Sequence, residues 1–327
     1  MPKSGQQPIS VAHISAAPGE RDEGYVELGE RQDHQAFSVP ISVVNGERDG
    51  RVAYLQSISD GDELNGAAVL QRVLRALDPK TLRGAVIAAP MVNVHAFNAG
   101  RSASPVDGKK MNRCFPGNKN GTSSERIAHF LFHEAVLQCD FCIDLHQGGV
   151  SPMVDECRVR VNKSDRAGRE SFEMGRVFGI GFIFHKKGPD GQLARAAPAE
   201  GIPTIDPELG GTRGWAESSI RKGVQGVWNV LRHYGLVEGK PDIPKNQVVS
   251  RKHQTVLCNR GGFLAFLKPL GAMMKKGEAF AEVRDPFGNV VEEVTAPADC
   301  VLWSHSPYPM VSTGQRVATI GTRISHV

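Results

Sequence analysis

The stretch VAYLQSISDGDELNGAAVLQRVLRAL (residues 52–77) contains a change in hydrophobic pattern that indicates the fold class. Its first seven residues are mostly apolar and predict a buried strand. A helical period then follows, with apolar residues at Leu64, Ala67, Leu70, Leu74 and Leu77. The stretch therefore predicts a strand that turns directly into an amphipathic helix.

The same alternation continues along the chain. Residues 84–94 and 140–146 are apolar runs typical of buried parallel strands. Between them, Thr122 and Glu125 form a capping box that predicts the start of a helix. Further elements follow in the same order: a helix over 171–180, strands over 182–185 and 201–211, and a helix from Trp215 to His233. This order predicts an α/β sheet with helices on both faces.

The pattern changes after a segment rich in Pro, Gly and Lys at residues 235–247. From about Val249 the chain shows short strands and regular turns without a helical period, which predicts a small all-β module. We therefore divide the chain into three parts: a polar N-terminal extension (1–38), an α/β domain (39–240) and a C-terminal β-barrel or sandwich module (249–327).

Composition and charge exclude several classes of protein. The net charge of +4 is spread along the 327 residues with no basic block, so we expect no binding to nucleic acid. No apolar run approaches the roughly 20 residues of a membrane helix, and the N-terminus lacks the apolar core of a signal peptide.

Six cysteines in a chain of this length do not indicate a disulfide framework, so we expect a cytoplasmic protein. Cys139 and Cys142 form a lone C-x-x-C, and no second pair completes a zinc ribbon. We interpret these two residues as buried free cysteines.

Polar groups follow several of the predicted strands, where ligands collect in open α/β sheets. Glu63 and His146 each follow an apolar strand, and both are normal zinc ligands. Asp60 stands three residues before Glu63, close enough to converge on the same ion. The alternative is that Asp60 caps the helix and His146 bonds a backbone carbonyl, and the spacing alone leaves both interpretations open.

Four segments in fixed order decide between them. DGDELNGAAVL, NVHAFNAGRSASPVDGKKMNRCFPG, IDLHQGG and PELGG together resemble the succinylglutamate desuccinylase/aspartoacylase family, over residues 39–211. The resemblance implies a metallocarboxypeptidase-like three-layer α/β/α mixed sheet and one zinc ion. It also implies that Glu63 and His146 are ligands of that ion.

The first ligand departs from the family, which has His where this chain has Asp60. Carboxylate is still a legitimate ligand, so we expect metal binding to be retained. An ion held by Asp, Glu and His would carry less net positive charge, which weakens its action as a Lewis acid. The added oxygen ligand also makes manganese an alternative to zinc.

The resemblance assigns roles to residues in the central loop. Asn112 and Arg113 match the pair that grips the substrate carboxylate, a task suited to the planar fork of Arg. Arg101 matches an upstream Arg that polarises the scissile carbonyl. The alternatives are that Arg113 pairs with Asp107, that Asn112 stabilises a turn, and that Arg101 is solvated.

Glu208, in the PELGG segment, matches the catalytic carboxylate of the family. Amide hydrolysis needs a base for the attacking water and an acid for the leaving amine, and one Glu can serve as both. The alternative is an exposed Glu at a strand end. His95 is a minor candidate for the missing nitrogen ligand, whereas His129 and His133 are interpreted as surface or boundary residues.

These observations lead to two hypotheses of different class. The first is a zinc-dependent amidohydrolase that removes the acyl group from a small N-acyl amino acid, with short peptides or esters as other substrates. The second is a ligand-binding or regulatory homologue in which Asp60 has weakened the metal site and little turnover remains. In either case we expect the β module to cover the active site or to form contacts in a homo-oligomer.

Overall fold

The structure is a computed structural model that describes residues 6–327. Its α-helices are α1 Asn65–Ala76, α2 Val94–Asn98, α3 Ser123–Glu134, α4 Arg166–Phe178, α5 Leu193–Ala199 and α6 Glu217–His233. Two 3-10 turns lie at Met111–Arg113 and Val136–Gln138.

The first eleven strands are β1 Ile9–Val11, β2 Ile14–Ala16, β3 Glu20–Glu30, β4 Ala36–Asn45, β5 Arg48–Ser57, β6 Arg83–Ala89, β7 Phe141–Leu145, β8 Glu156–Val159, β9 Phe182–His185, β10 Thr204–Glu208 and β11 Val248–Ser250. The remaining strands are β12 Lys252–Leu257, β13 Gly262–Phe266, β14 Met273–Met274, β15 Ala279–Arg284, β16 Val290–Thr295, β17 Cys300–His305, β18 Met310–Val311, β19 Arg316–Thr322 and β20 Ser325–His326.

A mixed sheet of ten strands forms the centre of the molecule, in the order β20-β11-β9-β8-β10-β7-β5-β6-β4-β3. Four adjacent strands, β10, β7, β5 and β6, run parallel to one another. Their carboxyl ends therefore meet at one edge of the sheet, which is where ligands bind in such folds.

Helices cover both faces of this sheet and give three layers. On one face α1, α4 and α6 bury apolar side chains such as Val73, Phe178 and Val227 against the strands. On the other face α3 and α5 bury Leu131 and Ala197. The capping box at Thr122 and Glu125 is present at the start of α3, so the predicted α/β class and this helix start are confirmed.

The C-terminal part is all-β, as predicted. Two four-stranded sheets, in the orders β12-β19-β17-β14 and β16-β15-β13-β18, enclose a core that includes Phe280 and Leu302. The flanking strands β11 and β20 pair with each other and extend the large sheet next to β9. The division into 39–240 and 249–327 stays a proposal.

The N-terminal segment differs from the expectation of an extension ahead of the ordered body. Residues 1–5 lie outside the described part of the chain, but β3 pairs with β4 over its whole length and forms an edge of the large sheet. An edge strand has polar side chains and few apolar ones because much of it faces solvent, which is why its sequence resembles an extension.

Candidate active site

A tight turn carries the first acidic residues of the site between β5 and α1. Ile58 adopts a φ of 54°, which is unfavourable for a β-branched residue and is typical of functional turns. Gly61 approaches the backbone of α2 so closely that a Cβ would lie 2.1 Å from the carbonyl carbon of Ala96. The conformation of this turn is therefore fixed by its close packing against the backbone of α2.

Three predicted ligands converge at this edge of the sheet. One potential ligand atom from each of Asp60, Glu63 and His146 lies within 4.8 Å of the other two. Asp60 and His146 are buried, with 3% and 4% of their surface exposed, and they follow the neighbouring parallel strands β5 and β7. The structure thus brings together the three residues that the sequence grouped.

Hydrogen bonds on both sides orient the His146 imidazole. Its Nδ1 lies 3.0 Å from Glu63 Oε2, and its Nε2 lies 3.1 Å from Asp144 Oδ2. Burial alone would lower the pKa of His146, but the carboxylates of Asp144 and Glu63 raise it well above its ordinary value. Burial raises the pKa of Glu63 to about 7, while the His146 imidazole beside it acts in the opposite direction.

Asp144 belongs to a buried polar chain behind His146. Its Oδ1 accepts a hydrogen bond from the Ser59 hydroxyl at 3.2 Å, and Ser59 in turn accepts one from Gln56. Tyr54 donates to Gln56 at 3.0 Å. A carboxylate behind a ligating imidazole fixes its orientation. Sequence analysis missed this role, although Asp144 and His146 are two residues apart and therefore share a face of the strand.

The helix-capping alternative for Asp60 does not occur. At the start of α1 the Gln147 Oε1 accepts hydrogen bonds from the backbone amides of Leu64 and Asn65, at 3.0 and 3.1 Å. The ring nitrogens of His146 contact carboxylates, not a backbone carbonyl. Both residues are therefore free of the structural roles that we considered as alternatives.

Asp60 is held by two residues of the central loop. Asn112 Nδ2 donates to its Oδ2 at 3.2 Å, and Lys110 Nζ lies 3.3 Å from its Oδ1. Burial raises the pKa of Asp60, while His146 and Lys110 act in the opposite direction. The sequence did not indicate which of two adjacent lysines would contact Asp60. Lys110 does so, whereas Lys109 pairs with Glu125.

The donor set fits a divalent ion. Two carboxylates and one imidazole are ordinary zinc ligands. Asp60 Oδ1 is buried, and the charged group that contacts it within the described residues is the Lys110 ammonium at 3.3 Å, so an ion could bind this oxygen by displacing that ammonium or by lying beside it. Asp60, Glu63 and His146 are the residues that would hold it.

Glu208 ends strand β10 beside this cluster. Its Oε1 forms an ion pair with Arg158 Nη1, whereas its Oε2 is buried and has no hydrogen-bond partner among residues 6–327. Arg158 also contacts Glu156 Oε1 at 2.7 Å. Glu208 is only 5% exposed, so it is not the solvated strand-end residue of the alternative interpretation.

Strand β8, which carries Glu156 and Arg158, was missed in the sequence because two of its four residues are charged. Glu156 pairs with Arg158 within the strand and accepts a hydrogen bond from Trp303, whereas Arg158 also pairs with Glu208. Because Trp303 and Glu208 come from other segments, the local pattern gave no sign that Glu156 is fully buried.

The loop residues predicted to bind substrate lie in different environments. Asn112 is buried and contacts Asp60, whereas Arg113 is exposed and donates to the Asn112 carbonyl at 2.6 Å. Asp107 binds the backbone amide of Ser124 at 2.8 Å, so the alternative pairing of Arg113 with Asp107 does not form. The guanidinium of Arg113 has no ion-pair partner within the described residues, and it lines the cavity.

Arg101 is not brought to the site. Its side chain is exposed and does not line the cavity, whereas its neighbour Ser102 does and donates to Asp62 at 3.0 Å. Asp62 also pairs with Arg213 at 3.0 Å. Asp62 therefore ties two loops together at the rim of the site.

A cavity of about 420 Å³ is lined by the residues of the cluster and the central loop, among them Asp60, Glu63, Asn112, Arg113, His146 and Glu208. The C-terminal module supplies one wall of it, with His253, Trp303, Ser304, Arg316 and Thr319. Trp303 also reaches behind the cavity, where its Nε1 donates to Glu156 Oε2 at 2.8 Å. The expected covering role of the module is thus seen in the geometry.

His95, His129 and His133 do not line this cavity. His95 Nε2 contacts the Ser123 hydroxyl at 3.1 Å and its ring lies against Phe37, in a separate cavity. His95 is therefore not the missing nitrogen ligand. His129 and His133 lie next to each other along α3, with ring centroids 4.0 Å apart and the ring planes tilted by 38°. All six cysteines are free and buried, which confirms the interpretation of Cys139 and Cys142 as buried free cysteines.

The fold and site define a class of hydrolases in which a mixed α/β sheet carries a carboxylate and imidazole cluster under an all-β module. The model of the succinylglutamate desuccinylase/aspartoacylase catalytic domain matches residues 49–234. The chain belongs to this family. Its homologues are deacylases that act on amide bonds.

Full-length relatives are similar to this chain. The N-alpha-acetyl-L-2,4-diaminobutyric acid deacetylase of Halomonas elongata is 29% identical, over 97% of this chain and 96% of its own length. A succinylglutamate desuccinylase/aspartoacylase structure from Rhodobacter sphaeroides is 25% identical with a TM-score of 0.80, covering 94% and 96% of the two chains.

The product-bound ectoine utilization protein EutE (DoeB) of Ruegeria pomeroyi shares the fold, with a TM-score of 0.82 and 24% identity over 97% of this chain and 98% of its own. In the described residues no helix is long and apolar enough to cross a membrane.

Proposed function

We propose that this protein is a zinc-dependent amidohydrolase that removes the acyl group from a small N-acyl amino acid. The observation that carries the proposal is the convergence of Asp60, Glu63 and His146 on one cavity that also holds the unpartnered Oε2 of Glu208. The six unpaired cysteines support the further proposal that the enzyme works in the cytoplasm.

In this proposal Asp60, Glu63 and His146 hold the ion, with zinc first and manganese as the alternative. A divalent ion there would act as a Lewis acid toward the acyl carbonyl and lower the pKa of a coordinated water. Asp144 keeps Nδ1 of His146 directed at the ion because it holds Nε2 on the opposite side of the ring.

Glu208 carries the proton in this mechanism. Its free Oε2 accepts a proton from the attacking water and later delivers it to the leaving nitrogen as the amide C–N bond breaks. The products are a carboxylate and an amine. Arg158 anchors Oε1, so the reactive oxygen stays turned toward the cavity.

The loop binds the amino-acid end of the substrate in this proposal. Arg113 presents a guanidinium group that has no ion-pair partner among the described residues and matches a carboxylate. Asn112 holds it by accepting a hydrogen bond from its Nη1, while its own side chain contacts Asp60. The electrophilic role predicted for Arg101 stays a prediction and requires its loop to turn inward. The diaminobutyrate relative supports a small N-acyl amino acid as substrate class.

A ligand-binding homologue with little turnover is the second candidate, and one observation favours it: Lys110 already occupies the side of Asp60 Oδ1. Metal content separates the two functions. Stoichiometric zinc or manganese in the purified protein favours the enzyme, whereas failure to bind metal after incubation favours the binder.

The deciding experiment is hydrolysis of a panel of N-acyl amino acids by Glu208→Gln. We expect a loss of at least about a hundredfold in kcat with the fold retained, because the proton carrier is removed. Glu200→Gln, an exposed residue after α5, is the matched control and should retain full activity. Unchanged hydrolysis by Glu208→Gln contradicts the mechanism.

A further inference from the structure

Lys110 lies in the site but has no role in the proposed reaction. We propose that its ammonium group is a built-in counter-cation for Asp60: it neutralises this carboxylate in the metal-free protein and thereby lowers the affinity of the site for a divalent ion. The inference rests on the metal site of the proposed function.

The geometry of two adjacent lysines carries this inference. Lys110 Nζ lies 3.3 Å from Asp60 Oδ1, whereas Lys109 Nζ lies 2.7 Å from Glu125 Oε1. The backbone that places them is fixed, since the next residue, Met111, is 0% exposed in the core. Lys110 therefore points into the cavity because of the fold, not by chance orientation of a free surface side chain.

The charges at the site require such a cation. The side chain of Asp60 is 4% exposed and faces further carboxylates at Glu63 and Glu208. A buried carboxylate without a partner is costly. Asp60 stands where the family pattern has His and so adds one negative charge to the site, and Lys110 places a positive charge 3.3 Å from it.

The same contact opposes binding of a divalent ion. An ion on Asp60 either displaces Lys110 or lies beside its positive charge. Both outcomes reduce the affinity of the site for the ion. The reduction is limited because the Lys110 side chain is 47% exposed, so solvent screens its charge. We expect Lys110→Met to bind zinc at least about tenfold more tightly than the natural protein.

Zinc affinity is measured by competition with a chromophoric chelator, using full-length protein. Lys110→Arg, which keeps the charge, should bind zinc within about threefold of the natural protein. Lys109→Met, the matched control, should also leave the affinity unchanged. In an Asp60→His background, where the carboxylate is absent, Lys110→Met should change zinc affinity much less than it does beside Asp60.

Thermal unfolding supplies a second readout that is independent of activity. Without metal, Lys110→Met should melt at a lower temperature than Lys109→Met, because Asp60 loses its cation. Saturating zinc should restore more stability to Lys110→Met than to the control.

Equal zinc affinities for Lys110→Met and Lys109→Met overturn the inference while leaving the proposed function intact. An equal gain from Lys110→Met with and without Asp60 also overturns it. If Lys110→Met and the natural protein both fail to bind zinc, the inference and the metal site of the proposed function fail together. Binding by Lys110→Met alone supports the inference.

Discussion

The indole Nε1 of Trp303, in the C-terminal module, donates a 2.8 Å hydrogen bond to the fully buried carboxylate of Glu156. Glu156 in turn holds Arg158, and Arg158 forms an ion pair with Glu208. The module is therefore connected to the proposed proton carrier by three successive contacts, in which Trp303, Glu156 and Glu208 are buried and the Arg158 side chain is 23% exposed.

We predict that Trp303→Phe lowers kcat by about tenfold with a smaller change in KM. The ring still fills its place, but Glu156 loses a donor and Arg158 shifts, and small misplacements of reacting groups are costly. Steady-state kinetics measures the changes in kcat and KM separately. Trp228→Phe, which packs against the core of the α/β domain away from the cavity, is the control. An unchanged kcat in Trp303→Phe would show that the connection does not position Glu208.

Asp144→Asn tests how His146 is oriented. Since Asp144 contacts His146 Nε2 at 3.1 Å, we expect zinc affinity to fall by about 10- to 100-fold. Chelator competition gives the value. Asp140→Asn, at the other end of the same strand, should leave affinity unchanged because Asp140 contacts only the amide of Val52 in the described structure. Equal affinities in the two variants argue against His146 as a ligand.

Arg113→Lys tests the proposed carboxylate site. Lysine keeps the charge but loses the planar fork, so KM should rise by about tenfold while kcat changes little. Arg75→Lys, on the exposed face of α1, is the matched control. A fall in kcat without a change in KM would instead place Arg113 in the chemical step.

His253 should make the folded protein sensitive to acid. Its ring stacks on Phe184 with centroids 3.6 Å apart, and burial lowers the pKa of His253 to about 4. The unfolded chain, with a pKa near 6.5, therefore binds more protons between about pH 4 and 6.5. The contribution of His253 to stability is present above that window and is lost as the pH falls through it.

We therefore predict that His253→Phe reduces the loss of stability between pH 7 and pH 4.5 by about 2 kcal/mol. Denaturant unfolding of both proteins at the two pH values measures the difference. Phenylalanine keeps the stack on Phe184 but does not titrate. If both proteins lose the same stability over this range, the ring of His253 is not kept neutral by burial.

Local patterns in the sequence were enough to predict the α/β order of the chain and several of the residues that meet at the cavity. Hydrophobic period distinguishes a strand from a helix locally, so residues 52–77 were enough to predict β5, the turn and α1. Because parallel strands end at one edge of a sheet, the sequence also predicted that Glu63, His146 and Glu208 would lie close together.

Features that depend on contacts between distant segments had no local signal. The burial of Glu156 depends on Trp303, and the placement of Arg158 depends on Glu208. The edge strand β3 was missed for a different reason, because it pairs with the adjacent β4 but carries mostly polar side chains. Lys109 and Lys110 are identical neighbours in the sequence, yet only Lys110 points to Asp60. Packing around Met111 sets these directions, because the backbone of one loop must fit against a core built by the whole chain.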